Sequence, residues 1–130
     1  MIDFALLLAA LIAVESGGDS LAIGDGGKAV GVLQIHPVMV DDCNRILTLK
    51  KNEYRFSLKD RKFESTSRSM AVIYLRWYDR AYHEGLDMSR YEFYARCWNG
   101  GPNGYTKQST DKYWAKAKLE IDRIRKEKTK

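Results

Sequence analysis

Eleven consecutive apolar residues, from Phe4 through Val14, stand near the start of the chain. A run this apolar has to be hidden from water, and an export signal, a membrane span or a core helix would each hide it. An export signal carries Lys or Arg ahead of its apolar stretch, whereas Asp3 stands here. A membrane span takes about 20 apolar residues, which this run does not reach. A buried core helix is therefore expected, N-capped at Asp3 and stopped near Glu15 or Ser16 by Gly17 and Gly18.

With 130 residues, 45% of them hydrophobic, the chain suits one core and one domain spanning 1–130. Its two cysteines, Cys43 and Cys97, are too few for a disulfide-stapled miniprotein. They either bridge or stay as buried thiols. With no CxxC, and with His36 and His83 at no ligand spacing, neither a metal nor a cofactor is expected. No GxGxxG or P-loop pattern occurs. The net charge of +5 predicts attraction to polyanions. The densest basic cluster, Arg123 to Lys130, reads as a solvated helix end. No zinc-finger or RNP1-like pattern appears, so no nucleic-acid partner is expected.

Further along, Asp25-Gly26 signals a hairpin turn, with a strand from Val30 to Ile35 paired to Leu21–Ile23. Pro37 fits the first position of a second helix, and residues 49–62 read as a charged loop. A long third helix is expected from Glu64 to Glu84, ended by Gly85. Ser89 with Glu92 makes a capping box for a fourth helix, which the turn Asn99–Gly104 ends. A fifth starts near Thr110 and buries Tyr113, Ala117, Ile121 and Ile124. The expected fold class is α+β, mostly helical with one small hairpin.

Four residues after Leu11, Glu15 continues the apolar stripe of the first helix. Desolvation and the negative end of the helix dipole would both favour its protonated form, which suits a proton donor. The competing reading has Glu15 swinging out to solvent at the helix end. Asp25, between two glycines, belongs in a wet turn and would stay ionised. A protonated and an ionised carboxyl facing each other are the machinery of glycoside hydrolysis, yet a hairpin turn wants Asp before Gly regardless of function. Gln34, late on a buried strand, is either a sugar-binding amide or a satisfied core amide. Trp98, Tyr105 and Tyr113 are either a sugar-stacking wall or core.

Taken together, Glu15-Ser16-Gly17-Gly18, Asp25 and Gly31-Val32-Leu33-Gln34-Ile35 resemble the active-site segment of the lysozyme superfamily. The stretch Ala95-Arg96-Cys97-Trp98-Asn99-Gly100-Gly101-Pro102-Asn103-Gly104, followed by Thr110, Tyr113 and Trp114, resembles the signature of invertebrate-type lysozymes. Tyr74-Leu75-Arg76-Trp77-Tyr78 is similar to another helix of that family. Soluble lytic transglycosylases and goose-type lysozymes are similar too, with Gly31–Gln34 and Cys97–Pro102 in their motif places.

The resemblance implies a lysozyme-like fold with its hairpin beside the active-site cleft. It makes Glu15 the general acid and puts Asp25 at the second acid's place. Ser16, Gln34, Trp98, Asn99, Gly100, Tyr105 and Tyr113 become substrate-binding residues. Invertebrate-type lysozymes are disulfide-rich, so a chain with two cysteines suggests a bacterial or bacteriophage relative. The implied activity is a peptidoglycan muramidase, cutting the β-1,4 bond between N-acetylmuramic acid and N-acetylglucosamine. The alternatives are a lytic transglycosylase, whose products end in 1,6-anhydro-muramic acid, and a non-catalytic glycan-binding module. The expected partner is the glycan strand of the bacterial wall, met by a monomer with no integral membrane segment and no recognisable signal peptide.

Overall fold

An α-helix that is apolar all round is stable in water only inside a core, and α1, Phe4–Glu15, meets that condition. Leu6, Leu7, Leu8, Ala10, Leu11 and Ile12 are buried. Each fully buried Leu contributes about 1.5–3 kcal/mol. Asp3 caps the helix, its Oδ1 accepting from the Leu6 amide at 3.2 Å. The computed structural model describes residues 2–129. Its element order is α1, β1 (Ile23–Gly24), β2 (Ala29–Val30), α2 (Pro37–Leu49), α3 (Glu64–Tyr78), α4 (Arg90–Gly100) and α5 (Asp111–Lys128), joined by short 3-10 turns. The fold is α+β and mostly helical, with one two-stranded antiparallel sheet. Among the described residues no helix is long and apolar enough to cross a membrane.

The chain divides into two compact units, one of residues up to Val14 together with Tyr78 onward, the other of Glu15–Trp77. In the first, Leu6, Ala10 and Ile121 form a buried cluster flanked by Tyr91, Trp114 and Ile124. The Ser89 hydroxyl caps α4 by accepting from the Glu92 amide at 3.1 Å. Of the residues expected to be buried on α5, Ala117 and Ile121 are, whereas Tyr113 and Ile124 are half-exposed.

The third helix is shorter than the expected Glu64–Glu84. It ends at Tyr78, a single 3-10 turn follows over Asp79–Ala81, and Tyr82 is extended. Asp79 explains the break. Its Oδ1 accepts from Arg90 Nη1 at 2.5 Å and from the Tyr94 hydroxyl at 2.7 Å. The Tyr82 ring meanwhile packs edge-on against Phe93, 5.4 Å between centroids. Contacts to α4 outweigh the local helical preference of residues 79–84.

In the second unit β1 pairs with β2 in the register Ile23↔Val30 and Gly24↔Ala29. The expected strand Val30–Ile35 is instead a strand end, a tight reversal over Gly31–Gln34, and a bridge. Val30 and Ile35 exchange backbone hydrogen bonds at 3.2 and 3.1 Å. The hairpin loop is also longer than a two-residue turn, running from Asp25 to Lys28 with Asp25, Gly26 and Gly27 all at positive φ. Pro37 starts α2 as expected. The charged segment after α2 is not wholly irregular, because Leu58–Lys62 form a 3-10 helix under a Ser57–Asp60 capping box.

Candidate active site

Glu15 is the last residue of α1 and is half-buried. The residue after it fixes the helix end. Ser16 Oγ donates to the Val32 carbonyl at 2.7 Å and accepts from the Gly18 amide at 3.1 Å. Gly17 and Gly18, at φ of 66° and 93°, turn the chain away. The Ser16 hydroxyl thus staples the Glu15 end of α1 to the Gly31–Gln34 reversal.

That reversal is held from two more directions. Gln34 sits at φ 52°, not on a strand. Its Nε2 donates to the carbonyls of Ala22 and Gly31 at 3.1 and 3.0 Å, which commits both amide protons. Its Oε1 lies so close to Gly24 that a Cβ there would approach to 2.5 Å. The amide therefore clamps the hairpin to the reversal and has only its oxygen to offer a ligand. Gly31, at φ 87°, backs onto the Arg61 carbonyl, which a Cβ would meet at 1.8 Å.

Arg61 is a residue the sequence did not single out. It is 9% exposed, and its guanidinium donates to backbone carbonyls: Nη1 to Lys28 at 2.9 Å and Ile35 at 3.0 Å, Nε to Leu58 at 3.0 Å. It joins the end of the hairpin loop, the end of the reversal and the 3-10 helix. Nothing in the sequence separates this arginine from its charged neighbours, since its partners are main-chain atoms far along the chain.

Asp25 is exposed, at φ 50°, and its Oδ2 meets His36 Nε2 at 2.8 Å. His36 stands at the N-cap position of α2. Glu15, Ser16, Asp25 and Gln34 thus lie in one unit, with one half-buried carboxyl and one exposed carboxylate in contact with His36.

Trp98, Asn99, Gly100, Tyr105 and Tyr113 lie in the other unit. Trp98 is buried at 5% exposure, Asn99 is exposed, and Tyr113 is half-buried on α5. Tyr105 packs on Phe93 with centroids 4.8 Å apart. The glycines of this motif answer different demands. Gly101 takes φ 88° to close α4, and a Cβ on Gly104 would come within 2.0 Å of the Arg96 carbonyl. Fully buried Thr110 holds the turn. Its hydroxyl accepts from Arg96 Nη1 at 3.0 Å and faces the Gly104 and Lys107 carbonyls at 2.9 and 2.8 Å. Arg96 is itself held by Glu92 and Asp111.

Both cysteines are free and buried. Burial pushes the Cys43 thiol up to about 12, with the Asp42 carboxylate adding to it, and the Cys97 thiol up to about 11. These are inert core thiols. Among the described residues no group of three or more His, Cys, Asp or Glu is placed to hold a metal ion.

One family matches the chain, described as the Transglycosylase SLT domain, over residues 4–121. The match runs through both units. No curated protein sequence and no solved structure matches significantly.

Proposed function

The chain belongs to the transglycosylase SLT domain family, lysozyme-like enzymes acting on peptidoglycan, and we propose that Glu15 is the general acid that cuts its glycan strand. The bond cut is the β-1,4 link between N-acetylmuramic acid and N-acetylglucosamine. Glu15 gives its proton to the glycosidic oxygen as the bond to the muramic C1 breaks. The 6-hydroxyl of the same muramic acid attacks C1, and the Glu15 carboxylate takes up the hydroxyl proton. The products are a free 4-hydroxyl and a 1,6-anhydro ring, and the acid is restored.

The observation that carries this reading is the setting of Glu15, a half-buried carboxyl on a rigid core helix whose end is stapled by Ser16 to Val32. Asp25 supports a one-acid route by its exposure. Hydrolysis is the second reading. The His36 contact favours it by holding one Asp25 oxygen in place, and Asp25 would then stabilise the cation or attack it. On either route Gln34 Oε1, Asn99 and the tyrosines Tyr105 and Tyr113 are proposed to contact sugar, within one catalytic domain spanning the chain.

Mass spectrometry of digested peptidoglycan separates the routes, with 1,6-anhydro ends expected and water-added reducing ends marking hydrolysis. Glu15→Gln is expected to lower the rate by about 10²–10⁴-fold. Activity equal to the parent in that variant removes Glu15 from the mechanism.

A further inference from the structure

The chain's excess of positive charge gathers in two segments. Residues 50–62 hold six basic residues against two acidic ones, a net of +4. Residues 123–130 hold five basic residues against one acidic one, also a net of +4, but there Arg123 bridges both Glu120 and Glu127. Lys50, Lys51, Lys59 and Lys62 are all exposed, and among the described residues none takes part in an ion pair. One of the two acids, Asp60, has a carboxylate oxygen on the Ser57 amide at 2.7 Å, in the capping box.

Interleaved with these cations are large apolar side chains that face water. Leu49, Tyr54, Leu58 and Phe63 are all between 49% and 59% exposed. The segment is preorganised rather than loose. Phe56 is buried, with its backbone amide and carbonyl held by the Asn44 side chain at 2.8 and 3.0 Å, and Tyr54 packs edge-on against it.

Lys51 breaks a local rule. The Asn52 amide reaches the Leu47 carbonyl and the Lys51 amide reaches Thr48, so α2 ends in a Schellman motif with Lys51 in the left-handed position at φ 59°. Glycine or asparagine belongs there on backbone grounds. A lysine at this strained place points to a use for its side chain.

We propose that residues 49–63 dock on the surface of an anionic lipid bilayer. Lysines clustered on a preformed segment meet lipid phosphates, and the apolar side chains between them enter the boundary between headgroups and acyl chains. A water-soluble phosphate polymer would engage the lysines and leave those apolar groups unused.

The test is co-sedimentation of the full chain with phosphatidylcholine vesicles, with and without about 30% phosphatidylglycerol. Binding to the anionic vesicles alone is expected. A variant carrying Lys50→Gln, Lys51→Gly, Lys59→Gln and Lys62→Gln is expected to bind at least ~100-fold more weakly. Its fold is protected, because Lys51→Gly relieves backbone strain. Leu58→Ser with Phe63→Ser is expected to weaken binding while leaving its salt dependence.

Equal binding to neutral vesicles, or parental binding by the lysine variant, overturns the proposal. Parental binding by the serine variant reduces the contact to phosphate attraction and overturns it too. Glu15→Gln is expected to bind as the parent does, so this result stands apart from that of the proposed catalysis.

Discussion

The Ser16 hydroxyl reaches the Val32 carbonyl at 2.7 Å, across sixteen residues of chain, and Val32 is itself buried. Ser16→Ala leaves that carbonyl unpaired inside the fold. A loss of about 1–3 kcal/mol in urea unfolding is expected, together with slower wall-clearing as Glu15 loses its anchor. Unchanged stability and rate would show the staple to be dispensable.

Two glycines separate backbone strain from steric clash. Gly17 and Gly31 both have positive φ, yet a Cβ on Gly17 meets nothing within 4 Å while one on Gly31 runs into the Arg61 carbonyl. Gly17→Ala is expected to cost about 1–2 kcal/mol and Gly31→Ala about 3 kcal/mol or more. Thermal or urea midpoints of the two variants check the order.

Asp25 and His36 form an exposed pair, so breaking it changes stability by less than about 1 kcal/mol. On the transglycosylase route Asp25→Asn keeps most of the turnover. A loss of ~10²-fold or more on purified peptidoglycan, at unchanged stability, assigns the carboxylate to hydrolysis instead.

The cysteines set an alkaline limit. In the folded chain the thiols titrate near 12 and 11, against 9.0 for an unperturbed one. Between about pH 9 and pH 12 the unfolded chain loses these protons while the folded chain keeps them, so stability is full below that window and falls through it. Replacing both cysteines by alanine is expected to lower stability at neutral pH and flatten the alkaline decline. Urea unfolding from pH 7 to 10 measures both.

The elements legible in the sequence are those decided locally. Asp3, Pro37 and Ser89 mark helix starts through groups a few residues away, and α1 is legible because its apolar run leaves no other soluble fate. The Gly31–Gln34 reversal was hidden because three distant groups hold it: the Ser16 hydroxyl, the Gly31 approach to residue 61, and the Arg61 guanidinium. Val32, Leu33 and Ile35 are as buried as strand residues, so hydropathy could not distinguish the turn. Helix α3 stops early for the same kind of reason, since the partners of Asp79 lie on α4. Within the candidate site, the half-burial of Glu15 follows from its place on the apolar stripe of α1. The engagement of Ser16 and Asp25 with other protein groups was not legible, whereas that of Gln34 was one of its two readings.

Arg61 also sets an order of assembly. Its guanidinium reaches back 33 residues to Lys28 and 26 to Ile35. Closing loops of that length makes such contacts slow compared with helix formation. During synthesis the hairpin and the Gln34 reversal therefore wait for residue 61 to emerge, even though α1 and Glu15 were made long before. A nascent chain stopped short of that arginine would carry Glu15 without the brace that joins the hairpin to the reversal.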